Sequence, residues 1–188
     1  MNQEERFFEK DLVLIGAGHT HCLFIKMWVM KKNSSVRVTL INPDPVASYT
    51  GMLPALIAGK VSKLEAQINL FKLCRSIEAR LVLDDVKRID KENNLVECSS
   101  GRKFFFDAIS INVGSNSVPP IYGLAKYGAS MRPMVKFEEK WSEFLQKSTG
   151  SEKTAKITLI GGGVASTELA FSMKIAINKI GCHNSKII

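Results

Sequence analysis

The chain has 188 residues, 45% of them hydrophobic and 23% charged, with 26 Lys+Arg against 18 Asp+Glu and a formal net charge of +8. That composition supports a buried core and excludes wholesale disorder, collagen-like repeats and low-complexity sequence. The basic residues fall in scattered pairs (Lys31-Lys32, Lys87-Arg88, Arg102-Lys103) without interleaved aromatics, so the charge reads as a solvated surface and no nucleic-acid partner is expected. Cys22, Cys74, Cys98 and Cys182 are widely spaced, with no CxxC; buried free thiols in a reducing cytoplasm are expected, not a zinc site or a dithiol motif.

The first ten residues are polar and charged, unlike a signal peptide. Asp11–Ile15 is a short apolar run suited to a buried parallel strand, broken by Gly16-Ala17-Gly18. Residues 19–32 read as a well-buried helix, ended by Asn33-Ser34-Ser35, and Val36–Ile41 reads as a second strand. Strand, glycine turn, helix and strand within about 30 residues make a βαβ unit. Residues 42–51 read as a loop with two prolines, 52–59 as a short helix, 64–77 as partly helical and 80–86 as a strand. From Val86 to Ser100 polar and apolar residues alternate around turn signals, which predicts a small antiparallel meander. Ala108–Val113 is an apolar strand closed by Gly114, and 115–133 is loop-rich.

Phe137, Trp141, Phe144 and Leu145 fall at helical spacing, so Trp141 is expected in a core and not at a cofactor. Residues 147–154 read as a linker. The pattern then restarts: a strand at 156–160, Gly161-Gly162-Gly163, a helix from Val164 to about Ile180, and the opening of another strand at 185–188. The apolar window 157–177 carries three glycines, Glu168 and Lys174, which excludes it as a membrane span.

Each glycine turn lies between a strand and a helix, where its first glycine permits a tight turn and its second lets backbone approach a pyrophosphate held by helix N-terminal N–H groups. In Gly16-Ala17-Gly18-His19-Thr20-His21 the third position, normally small, is His21. His19 and His21 form an HxH pair, but two ligands are too few for a metal site, and a packing or phosphate-edge role is expected. Asn42 stands at the end of the second strand, where a ribose-binding acid is expected. The second turn continues into Val164-Ala165-Ser166, with a small residue at the third position.

At these residues the chain resembles the pyridine nucleotide-disulfide oxidoreductase superfamily of two-dinucleotide flavoproteins, in its type II NADH dehydrogenase-like branch. Tyr49-Thr50-Gly51-Met52-Leu53-Pro54, followed by Ala58-Gly59, resembles the segment beside the flavin. Residues 84–90 resemble the strand whose backbone meets the adenine, a role that would fall to Val86, and 106–115, including Gly114, resemble the segment before the crossing to the second domain. Gly161, Gly163 and Glu168 fit the NAD motif, the glutamate facing the nicotinamide end. The His-x-His turn and the Tyr-Thr-Gly-Met-Leu-Pro stretch are similar to a flavoprotein branch sometimes fused to selenide, water dikinase; no kinase portion is present here. The disulfide-reductase CxxxxC is absent, so thiol–disulfide chemistry is not expected.

The resemblance implies an α/β fold: a Rossmann-like FAD-binding domain over 1–147, a linker at 148–155, and over 156–188 the start of a Rossmann-like NAD(P)H-binding domain, with the remainder of both expected beyond residue 188. It implies FAD and NAD(P)H as cofactors and hydride transfer to flavin and on to a small-molecule acceptor such as a quinone. The FAD set is Gly16, Gly18, His19, His21, Asn42, Thr50, Gly51, Met52, Val86 and Gly114, and the NAD(P)H set is Gly161, Gly163 and Glu168. No acid–base or nucleophile constellation is present. The alternatives are a nucleotide-binding fragment without turnover and an accessory module of a fused enzyme. Peripheral membrane association is left open for a longer protein.

Overall fold

The computed structural model describes residues 8–31, 33–115, 120–149, 154–182 and 185–188. The residues before Phe8, part of the loop-rich stretch (116–119) and half of the expected linker (150–153) lie outside them. By contact the chain forms two compact units, residues 1–47 with 68–114 and residues 48–67 with 115–188. This grouping cuts the chain differently from the division by glycine motif.

In the first unit β1 (Lys10–Ile15) and α1 (His19–Trp28) lead through a 3₁₀ turn (Val29–Lys31) to β2 (Val36–Asn42). Side-chain alternation sends Leu12, Leu14, Val38 and Leu40 to one face of the sheet and Val13, Ile15 and Ile41 to the other. Both faces are covered, which is why the central residues of these strands are mostly apolar. Only one face of α1 is buried, through His21, Cys22 and Ile25; Leu23, Met27 and Met30 are exposed, correcting the expectation of a well-buried helix.

The chain passes to the second unit and back at β3 (Val46–Ser48) and β4 (Gln67–Asn69), which pair with each other. Between them, in the second unit, come a 3₁₀ turn (Thr50–Met52) and α2 (Leu53–Ile57), with Pro54 in its first turn. The predicted loop therefore contains a strand, and the 64–77 segment divides into β4 and α3 (Leu70–Arg75). Asn69 makes that division: its side chain accepts the Lys72 N–H at 2.9 Å and caps α3.

β5 (Arg80–Leu83) then joins the sheet and stops before Asp84, whose carboxylate is bound by the Arg102 guanidinium at 2.8 Å and by the Ser100 hydroxyl. The meander follows as β6 (Val86–Asp90), β7 (Leu95–Cys98) and β8 (Lys103–Phe105), all antiparallel. β9 (Ala108–Ile111) completes a wholly parallel sheet of order β5-β2-β1-β9. α1 and α3 pack on one face around Leu14, Ile25, Leu40 and Leu70, and the meander packs on the other around Val13, Ile41, Val82 and Val96. The first strand thus has neighbours reached in opposite directions, and the crevice at its carboxyl end is the topological switch point.

The second unit also contains α4 (Leu124–Tyr127), α5 (Met134–Ser148), β10 (Lys156–Ile157), α6 (Val164–Lys179) and β11 (Lys186–Ile187). β10 and β11 are parallel, so this is a second βαβ unit; its strands are shorter than the sequence suggests because each has one described neighbour. Phe137 and Trp141 are buried with Leu53, Ile57, Leu169, Met173 and Ile177, as the helical spacing required. Among the described residues no helix is long and apolar enough to cross a membrane.

Candidate functional site

The first glycine turn is built by close packing against one residue. Gly16 adopts φ +82°, a conformation that costs an L side chain about 1–2 kcal/mol. A Cβ there would also lie 2.5 Å from the Asn112 carbonyl oxygen, and one at Gly18 would meet both the Asn112 side-chain amide and, at 2.6 Å, its carbonyl oxygen. Asn112 is stapled to the turn: its N–H donates to Ile15 O at 2.8 Å, and its carbonyl accepts the Gly18 N–H at 3.0 Å. The two glycines therefore answer a close approach of β9's continuation. Gly114, two residues on, turns at φ +75°.

Three further contacts fix the turn. Gly16 N–H donates to Ile41 O at 2.8 Å, and the Ala17 N–H donates to Asn42 Oδ1 at 2.9 Å, while Asn42 Nδ2 donates to Asp44 O at 2.7 Å. Cys22 Sγ donates to Ala17 O at 3.4 Å. The four cysteines are free and buried, and burial, with Cys22 beside it, pushes the Cys74 thiol up to about 11.

His21 lies behind the turn, 2% exposed. Its Nδ1 is 2.6 Å from Gly16 O and its Nε2 is 2.9 Å from Ser110 Oγ. A carbonyl can only accept, so Nδ1 carries the proton and Nε2 accepts from the Ser110 hydroxyl. Burial lowers the imidazole pKa, against the raising effect of the Gly16 bond, so the ring is neutral. A large third residue fits because small Ser110 faces it from β9 and hydrogen bonds replace tight apolar contact. His19 is exposed on the first turn of α1. Among the described residues no three His, Cys, Asp or Glu side chains form a metal-holding group.

The structure thus brings Gly16, Gly18, His19, His21 and Asn42 together at the carboxyl end of β1 and β2, with Gly114 two residues past Asn112. Val86 is the first residue of β6, paired with Cys98 and packed on the meander face. Thr50, Gly51 and Met52 form the 3₁₀ turn of the second unit, where the Met52 N–H donates to Tyr49 O at 2.9 Å. Asn112 and Ser110 are the residues that sequence reasoning missed. Their signal was their polar character inside an apolar strand.

The second turn is more open. Gly161 has φ +128°, with only Ser166 Oγ near the place of a Cβ, at 3.3 Å; nothing crowds Gly162 or Gly163. Gly163 is the N-cap residue of α6, its carbonyl accepting the Ser166 N–H at 3.0 Å. Glu168 is exposed on that helix, and its carbonyl accepts from Ser172 Oγ at 2.8 Å.

Set beside known proteins, residues 10–188 match the family model described as pyridine nucleotide-disulphide oxidoreductase. The search of curated proteins gives no match. Among solved structures, the fold is similar to the sulfide:quinone oxidoreductase from the hyperthermophilic bacterium Aquifex aeolicus, with TM-score 0.77 and 22% identity over 95% of this chain and 42% of that one. It is similar to NDH2 from Plasmodium falciparum in complex with NADH, with TM-score 0.74 and 20% identity over 95% of this chain and 41% of that one. A NAD-dependent persulfide reductase from A. fulgidus gives TM-score 0.74 and 17% identity over 94% and 33% of the two chains. At these identities the likeness is one of fold. The chain spans about two-fifths of the length of the first two.

Proposed function

The chain belongs to the pyridine nucleotide-disulphide oxidoreductase family, and from that premise we propose that it is the nucleotide-binding portion of an FAD-dependent NAD(P)H oxidoreductase, passing hydride from NAD(P)H to flavin and on to an acceptor such as a quinone. The observation that carries this reading is a glycine turn at the head of a helix in each of two βαβ units. The proposed division is FAD binding over 1–147 and NAD(P)H binding from 156, joined at 148–155.

The residues of the first turn fit an FAD pyrophosphate. Gly16 and Gly18 let the turn close tightly against Asn112, and the first turn of α1, from His19, presents backbone N–H groups to an anion. His21 and Asn42 hold the turn's backbone from behind and beside it, which leaves Asn42 one lone pair and one N–H for a ribose hydroxyl. Val86 would offer backbone to the adenine, and Gly114 would let the chain turn close to the cofactor. The assignment of Thr50, Gly51 and Met52 to the flavin rests on the likeness of their segment alone. At the second turn Gly161 and Gly163 would admit the NAD(P)H pyrophosphate, with Glu168 toward the nicotinamide end. When bound, the two cofactors supply the hydride chemistry; the chain's part is to bind and orient them and to exclude water.

A second reading is favoured by the coverage of the solved structures: a piece that binds nucleotide without turnover. Incubation with FAD followed by desalting tests the binding common to both. Retained flavin absorbance is expected, and a colourless protein would overturn the FAD assignment. NADH-dependent reduction of a quinone or dye by the loaded chain then separates enzyme from binding piece.

A further inference from the structure

The end of the first unit's sheet away from the glycine turn carries a second polar site. Alternation along β2 puts Arg37, Thr39 and Ile41 on the meander face, and register places Asp11 beside Arg37 and Arg80 beside Thr39. With Lys103, Phe104 and Phe105 of β8, residues Asp11, Arg37, Thr39 and Arg80 line a cavity of about 130 Å³. Asp11 and Arg37 neutralise each other in a two-pronged pair, Nε–Oδ1 at 2.5 Å and Nη2–Oδ2 at 2.7 Å. Two cations are left over. Among the described residues nothing bonds the Arg80 guanidinium or the Lys103 ammonium, and neither takes part in an ion pair. Nor does anything bond the Thr39 hydroxyl, although Thr39 is 2% exposed and faces the cavity. Its oxygen is open to the cavity, since the buried side-chain polar atom without a partner among the described residues is Asn112 Oδ1, and it is therefore available to donate to a ligand there.

We propose that this cavity binds a small oxyanion with the charge of phosphate or sulfate. Arg80 and Lys103 supply the two positive charges that a dianion requires, and Thr39 donates its hydroxyl from the floor. The volume is about four times a water molecule's share of the liquid, which suits one tetrahedral anion and is too small for a nucleoside. The strands enter this end before they reach Gly16, so the site is separate from the nucleotide cradle on the same sheet. An anion here would bridge β2, β5 and β8, tying the meander to the parallel sheet.

Calorimetric titration of the full chain with inorganic phosphate, at fixed ionic strength set by NaCl, tests this. Saturable one-site binding is expected, with a rise in melting temperature. R80Q and K103Q should each weaken the Kd at least about tenfold, and the uncharged, nearly isosteric T39V at least about threefold, consistent with charged and neutral hydrogen bonds. Far-UV circular dichroism and melting without phosphate establish that each variant is folded. Two results overturn the proposal: no saturable binding beyond the NaCl control, or binding that all three variants retain unchanged, which would place the anion at the glycine turn.

Discussion

Asn42 Oδ1 accepts the Ala17 N–H at 2.9 Å, so the last residue of the second strand holds the middle of the glycine turn that follows the first. At the position where an acid is expected for a ribose, the side chain shapes the backbone that would receive the pyrophosphate. N42A leaves the buried Ala17 N–H unpaired and should cost about 1–3 kcal/mol in urea unfolding, whereas N42D keeps the acceptor and should cost less. The same pair should weaken FAD retention in the same order.

Asn112 decides what the two glycines tolerate. G16A combines φ +82° with a backbone oxygen 2.5 Å from the new Cβ and should destabilise the chain by at least about 2 kcal/mol. At Gly18, φ is −63° and packing alone objects, so G18A should cost about 1–3 kcal/mol. N112A removes the amide that meets the new methyl but not the backbone carbonyl at 2.6 Å. The double variant G18A/N112A should therefore recover only part of the loss, read as unfolding midpoints.

His21 gives the first unit a pH dependence with a definite sign. Its pKa is lowered in the folded state, so the unfolded chain binds more protons on the acid side of the ordinary histidine value of about 6.5. The stabilisation is complete above that value and is lost as pH falls below it toward the folded pKa. The urea midpoint should drop between pH 7.5 and 5.5. H21F should lower the midpoint at pH 7.5 and flatten the profile; an unchanged slope would show that His21 is not the group responsible.

In the second unit Trp141 and Phe137 of α5 pack against Leu169, Met173 and Ile177 of α6, the helix that Gly163 caps. W141A should cost about 3–5 kcal/mol. Because α6 carries the second glycine turn, nucleotide binding there should weaken along with stability. Guanidinium unfolding followed by NADH fluorescence checks both.

The apolar runs at 11–15, 36–41 and 108–113 were legible as parallel strands because both faces of that sheet are covered, so most of their residues are apolar. The glycine turns were legible because a left-handed φ and a close backbone approach demand glycine. The stretches from 42 to 51 and from 64 to 77 were less so: β3 and β4 are three residues each, too short for a period to register, and each exists because the other pairs with it. The exposure of Leu23, Met27 and Met30 was equally hidden, since apolar residues on most sides of a helix look the same whether or not a neighbour covers them.

Composition, charge and spacing by themselves determined that this chain is α/β, that it carries two strand–glycine–helix units, and that its cysteines form no redox pair. Those are local properties: the period of a strand, the φ of a turn, the spacing of thiols. Only the tertiary structure decided what surrounds the turns. Asn112 returns from β9, about ninety residues away, to crowd Gly16 and Gly18; His21 turns inward to meet Ser110; Asn42 clamps Ala17; and Thr39, Arg80 and Lys103, far apart in the chain, meet around one cavity. A +8 excess that read only as scattered surface charge became, at one end of one sheet, two unpaired cations around a cavity that Thr39 also lines. Sequence spacing specifies the face on which a side chain lies, but pairing across strands brings those faces together.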